Sequence, residues 1–141
     1  MRVCVGAVLL RHRPTPEVLL VKRAPTREWW PGVWDVAGGH RTSGESTEQT
    51  LVREMEEELG ISPTEWKLAA QLREAAPGVE EPYILHLYVV SEWTGTLSNR
   101  QPEEHSELGW FNIEDACRLD VPHPQYSVLF RQLPRATSAR G

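Results

Sequence analysis

The sequence predicts one α/β domain, a mixed β-sheet lying between helical layers. Short Val- and Leu-rich runs of strand length stand on both sides of one strongly patterned helix, and a second amphipathic helix closes the chain. With 141 residues, 40% of them hydrophobic, there is material for one core of ordinary size and not for two.

The elements follow in order. "VCVGAVLLR" (3–11) and "EVLLVKRA" (17–24) are apolar runs separated by "HRPTP", a hairpin pattern. "PTREWWPGVWDVAGG" (25–39) carries two prolines and three glycines and is read as loop, with a brief strand at Val33–Ala37. Residues 46–60 form the clearest helix: Ser46 is placed to cap its start, with Gln49 three positions on, and Gly60 is placed to stop it. Leu51, Val52, Met55 and Leu59 recur at helical spacing and predict its buried stripe. "TEWKLAAQLREA" (64–75) and "PYILHLYVVSEW" (82–93) are two longer strands, and "ELGWFN" (107–112) is another, followed by a short helix at 113–118. "PQYSVLFRQL" (124–133) is the final amphipathic helix. The domain is therefore placed at 1–133, with 134–141, "PRATSARG", as a flexible tail of small and polar residues.

Charge narrows the function. The net charge is −5, which argues against a surface built to coat nucleic acid. Thirteen of the fifteen basic residues are nevertheless arginine, the better bidentate phosphate ligand. Cys4 and Cys117 have no metal-ligand spacing and are expected as reduced thiols. The apolar stretch "VCVGAVLL" is too short to span a membrane and no small-residue cleavage pattern follows it. The expectation is a cytoplasmic protein with neither a membrane nor a nucleic-acid partner.

One segment contradicts simple economy. "REMEEELG" (53–60) places Glu54, Glu56, Glu57 and Glu58 within five consecutive positions, where like charges a turn apart repel by roughly 0.2–0.5 kcal/mol per pair. At about 100° per residue, Glu54, Glu57 and Glu58 share an arc beside the apolar stripe, while Glu56 points to solvent. An acidic solvated helix face is one explanation. Three carboxylates beside a core edge also make a hard-cation site, of the kind Mg²⁺ and Mn²⁺ prefer.

The residues ahead of the cluster decide between them. Gly39 is followed by five residues and Glu45, then by seven residues and Arg53–Glu54, Met55, Glu57–Glu58, Gly60 and Ile61. The chain thus resembles the Nudix hydrolases, matching every position of the box G-x5-E-x7-R-E-U-x-E-E-x-G-U, where U is apolar. "VKRA" before the box and an acidic loop ending in "GWF" after it are similar to the MutT-like branch, and the likeness extends over about residues 3–133.

The resemblance implies a Nudix-type α/β/α sandwich whose loop–helix–loop binds divalent metal and cleaves a phosphoanhydride in a nucleoside diphosphate linked to another moiety. By the same likeness Glu54, Glu57, Glu58 and the Gly38 carbonyl become metal ligands, with Mg²⁺ the cofactor and Mn²⁺ a substitute. Glu57 is the leading candidate to activate the attacking water and Glu54 its rival. Arg53 orients the carboxylates, Glu45 ties loop to helix, and Gly39 and Gly60 serve the backbone. Family members often add an acidic residue from a late loop, where the candidates are Glu103, Glu104 and Glu107; six positions before Trp110 stands Glu104, the spacing of the MutT-like pattern. Arg23 matches a phosphate-contacting arginine of that branch. His40 and Arg41 follow the loop glycines and are placed to face phosphate or solvent.

Elementary chemistry agrees. A diphosphate bridge and this acidic chain are both anionic, so substrate and site meet only when cations neutralise both. Of the six tryptophans, Trp29, Trp30 and Trp34 enter the box, where a base stacks or the loop is anchored; Trp66, Trp93 and Trp110 are read as core.

The chain departs from the members that clear oxidised guanine nucleotides. Ala37 stands where they carry Pro, and "VPHPQYS" offers His123 or Gln125 where they use Asn on the base. Pro77 resembles a feature of ADP-ribose pyrophosphatases, whereas "DVAGGH" does not. The predicted substrate is a nucleoside triphosphate, modified or not, released as monophosphate and pyrophosphate. ADP-ribose or a nucleotide sugar is the alternative, and a non-hydrolysing nucleotide-binding module is the alternative of another class. Processing of RNA 5′ ends ranks lower, since no basic stripe accompanies the box. The expected partner is a small nucleotide, on a monomer or homodimer.

Overall fold

Strand β1 (Arg2–His12) organises the sheet in the computed structural model, which describes residues 2–74 and 82–138. One edge of β1 runs parallel to β6 (Tyr83–Thr94), from Arg2 opposite Tyr83 to Leu9 opposite Val90. Its other edge is divided. The first half pairs antiparallel with β4 (Ala37–His40), the second with β2 (Pro16–Arg23) across the predicted hairpin. β2 also pairs with the two-residue β3 (Trp34–Asp35) and with β7 (His105–Asn112), and β5 (Ser62–Glu74) pairs with β6. One parallel pair among antiparallel ones makes the sheet mixed, as predicted.

Side-chain alternation along the strands then divides the apolar residues between two faces. Val8, Leu10, Val18, Leu20, Leu87 and Val89 pack with Ala116 of α2 (Ile113–Cys117) and with Tyr126, Phe130 and Leu133 of α3 (Gln125–Ser138). Val5, Ala7, Leu9, Leu19, Val21, Tyr88 and Val90 face the other way, onto Leu51, Met55 and Leu59 of α1 (Thr47–Leu59). The result is the predicted α/β/α sandwich, with α1 on the second face.

Three expectations are corrected. The "AGGH" segment, taken as loop, is β4: Gly38 lies so close to β1 that a Cβ there would collide with the Val5 carbonyl, so its glycine marks strand contact and not a bend. Val52 is exposed, because the buried stripe of α1 is Thr50–Leu51, Glu54–Met55 and Glu58–Leu59. Two of the glutamates thus lie within the stripe and not beside it. Trp66, Trp93 and Trp110 only flank the second core: the Trp66 indole donates to Glu48 (3.0 Å), Trp93 stacks on Trp110, and the Arg11 guanidinium covers Trp110.

The final helix runs past 133 to Ser138; the rest of the predicted tail, 139–141, lies outside the described residues, as does Pro77. Among the described residues no helix is long and apolar enough to cross a membrane.

Candidate active site

α1 starts and stops where its caps place it. Ser46 and Gln49 form a reciprocal capping box, and Gly60 ends the helix at φ 70°, a left-handed conformation glycine adopts freely. With both ends set, the side chains at 54, 57 and 58 have fixed directions relative to β4.

Arg53 joins the helix to the loop ahead of it. Its Nε and Nη2 donate to the two Glu45 oxygens (2.7 and 3.0 Å), Nη1 to Glu54 (3.0 Å) and Glu57 (3.2 Å), and Nη2 also to the His40 carbonyl (3.0 Å). These contacts match the five N–H groups of a guanidinium. Glu45 further accepts from the Thr42 amide and the Thr50 hydroxyl (both 3.1 Å). Arg53 chiefly, then Thr42, holds the Glu45 carboxyl well below the usual range, and Glu45 in turn raises Arg53. The predicted tie between loop and helix is therefore this ion pair.

Glu54 and Glu58 are buried. Burial first, then the Glu58 charge, pushes Glu54 up to about 7 against the pull of Arg53. Burial also raises Glu58, opposed by a 2.6 Å contact with His105 Nε2 and by the Gly38 amide donating at 2.7 Å. Gly39 lies against the other carboxylate: a Cβ there would enter Glu54. Carboxyls raised in this way resist ionisation in the protein alone, and a bound cation would favour their charged form. This oxygen-rich donor set fits a divalent metal. A further triad, Glu58, Glu104 and His105, brings one donor atom from each residue within 4.8 Å of the others.

A pH dependence follows. Glu54 near 7 and Glu58 above its ordinary value bind protons more tightly folded than unfolded. Their contribution is fully present below the unfolded value of about 4.3 and lost as pH rises through the folded ones. A cation held by the ionised carboxylates offsets that loss. The rise in Tm on adding Mg²⁺ or Mn²⁺ is expected to be small at pH 5 and larger at pH 8; equal rises in thermal scans at the two pH values contradict it.

A cavity of about 520 Å³ opens over this cluster. Its lining includes Gly38, Gly39, His40, Arg53, Glu54, Glu57, Glu58, Glu104 and His105. It also includes Arg23, Arg27, Trp29, Trp30, Asp35, Tyr83, His123 and Tyr126. Asp35 is raised to about 6 by burial, against hydrogen bonds from the Val36 amide (2.7 Å) and the Tyr126 hydroxyl (3.1 Å). Arg23 donates to the Trp29 carbonyl (2.8 Å) and stands 3.7 Å from Asp35. Burial lowers His123 to about 4, and its Nε2 lies 3.3 Å from the Tyr83 hydroxyl.

Some predicted site residues are not brought together. Trp34 packs edge-on against Phe111 in the first core and does not line the cavity; strand alternation gives that place to its neighbour Asp35. Gln125 is exposed at the start of α3, while His123 is buried in the cavity wall. Glu107 pairs with Lys22 at 3.7 Å, and neither it, Glu103 nor Arg41 lines the cavity. Glu56 is exposed, as expected, and pairs with Arg100 (3.0 Å). Sequence reasoning missed Asp35, Tyr126 and His105. The one signal for His105 is its place beside Glu104 at the start of β7. A second, more open groove of about 940 Å³, lined by Arg11, Trp93 and Trp110 among others, contains none of the box carboxylates.

The fold and the box define the class: the chain belongs to the NUDIX domain family, whose model matches residues 1–133. Among particular relatives it is similar to the CTP pyrophosphohydrolase of Escherichia coli (strain K12), 37% identical over 107 residues covering 74% of this chain and 73% of that protein. It is also 33% identical over 137 residues to a Mycobacterium tuberculosis protein provisionally named 8-oxo-dGTP diphosphatase 3; that match covers 93% of this chain but only 61% of the relative's length. Among solved structures, the E. coli ORF135 protein superposes with a TM-score of 0.77 at 31% identity, over 99% of this chain and 93% of that one. A MutT NUDIX hydrolase of Burkholderia pseudomallei does so with 0.76 at 28% identity, over 93% and 96%.

Proposed function

We propose that the protein is a Mg²⁺-dependent pyrophosphohydrolase that hydrolyses a nucleoside triphosphate to the monophosphate and pyrophosphate. The single observation that carries this reading is the continuity of the cavity, which joins the carboxylate cluster to a wall of half-buried Asp35 and buried Tyr126 and His123. The carboxylates suit a metal-bound polyphosphate and the Asp35, Tyr126 and His123 wall a base. Relatives named for CTP and 8-oxo-dGTP support a triphosphate over other nucleotides.

In this reading Glu54, Glu57, Glu58, Glu104 and the Gly38 carbonyl hold the metal, and Mn²⁺ substitutes for Mg²⁺. When bound, the metal neutralises the phosphates and makes water more acidic. Glu57, exposed enough to meet water and steadied by Arg53, takes the proton from the attacking water. The water oxygen forms the new bond to phosphorus as the bridging P–O bond breaks, and the leaving phosphate takes the electron pair. Arg23, in the cavity lining, contacts phosphate, with His40 beside the Gly39 backbone. Asp35, Tyr126 and His123 present acceptor and donor groups to the base, and Trp29 and Trp30 border it.

The test is a panel of dNTPs, NTPs, oxidised dNTPs, ADP-ribose and nucleotide sugars, assayed with Mg²⁺ and with Mn²⁺. Pyrophosphate release from one or more triphosphates is the expected result. Turnover confined to ADP-ribose or sugar nucleotides overturns it. Tight binding of triphosphates with no turnover makes the protein a binding module.

A further inference from the structure

We infer that His105 is a positioning residue for Glu58: its ring N–H holds that carboxylate in place for a divalent cation without itself ligating the ion. This rests on the reading of Glu58 as a metal ligand. Glu58 and His105 are 1% and 4% exposed, and Nε2 lies 2.6 Å from Glu58 Oε1. A carboxylate that ligates a cation has no hydrogen to give, so in that state the hydrogen of this contact sits on the ring. The Gly38 amide occupies the other oxygen at 2.7 Å. With one donor on each oxygen the carboxylate cannot turn, and each oxygen keeps a lone pair for a cation.

The histidine is itself held. Its amide donates to the Gln101 carbonyl (2.9 Å), and its carbonyl accepts from the Asn99 side chain (2.6 Å). The neighbouring Glu104 carbonyl accepts from the Ala24 amide (2.9 Å), which moors the segment to the residue after β2. Among the described residues, His105 Nδ1 is the buried side-chain nitrogen or oxygen without a hydrogen-bond partner. Nε2 is thus the ring nitrogen that the fold engages, and Glu58 is what engages it. Hydrogen bonds to ligating groups of this kind matter for affinity: removing one typically weakens metal binding by about 10- to 100-fold.

The experiment measures Mn²⁺ affinity by electron paramagnetic resonance on the whole chain, with circular dichroism to establish folding. His105→Gln keeps an N–H at the reach of Nε2 and is expected to bind Mn²⁺ within about threefold of wild type. His105→Asn, whose amide is too short, is expected to lose about 10- to 100-fold while remaining folded. Electron spin-echo measurements on wild type are expected to show no nitrogen bound directly to Mn²⁺. A directly bound imidazole nitrogen overturns the inference by making His105 a ligand. Wild-type affinity in folded His105→Asn overturns it too, as does loss of affinity in both variants alike. Glu58→Gln separates the two levels: if it binds Mn²⁺ as wild type does, the ligand reading of Glu58 has failed. If it loses affinity while His105→Asn does not, only the role of His105 has.

Discussion

Glu57→Gln is expected to lower kcat by about two to four orders of magnitude, the range for loss of a positioned proton acceptor, and to leave Tm unchanged. The two halves have separate grounds. The side chain is 46% exposed and its one described contact within the protein is the 3.2 Å bond from Arg53, so folding has little to lose. An amide of the same shape accepts no proton from water and is a weaker cation ligand. Glu54→Gln is the necessary comparison. That carboxyl is buried and raised to about 7, so neutralising it removes an electrostatic burden from the metal-free fold and raises Tm. Kinetics and thermal scans on the two variants side by side test both statements. Wild-type kcat in Glu57→Gln with loss confined to Glu54→Gln would move the water-activating role to Glu54.

The second large effect belongs to a residue that need not touch the reacting atoms. Arg53→Lys is expected to cost about a hundredfold in kcat/KM, because a displacement near 1 Å in catalytic groups has an effect of that size. A lysine keeps the charge but has three donors at one point, against the planar fork that here reaches Glu45, Glu54, Glu57 and the His40 carbonyl together. The end of β4 at His40 and the loop that carries Glu45 would lose their bonds from Arg53, and Tm should fall with activity. Glu56→Gln provides the control. It removes an exposed pair with Arg100 outside the cavity, and activity should hold. Full activity in Arg53→Lys would mean that charge alone, and not the fork, is what the site requires.

Much of this site was legible in the residues because its chemistry is local. One helical turn and a half supplies three carboxylates, and the spacing from Gly39 through Glu45 to Arg53 and Gly60 names the loop, its clamp and its stop. The caps at Ser46 and Gly60 and the amphipathic strands were legible for the same reason, since period and capping depend on neighbours along the chain. Reading failed where neighbours come from elsewhere. β4 looked like loop because a glycine pair is ambiguous until β1 lies against it. Trp34 drew attention as the larger residue, yet the sheet turns it into the core and leaves Asp35 in the cavity.

The family, the metal-ligand candidates and the two-faced sheet could be read from the residues, because each is written in spacings of a few positions. Which distant groups meet had to await the folded chain: His105 with Glu58, Tyr126 with Asp35, Tyr83 with His123. Those pairs lie 40 to 91 positions apart in the chain. No local pattern encodes them, since it is the packing of α1 and α3 on opposite faces of one sheet that brings such distant atoms within hydrogen-bond reach.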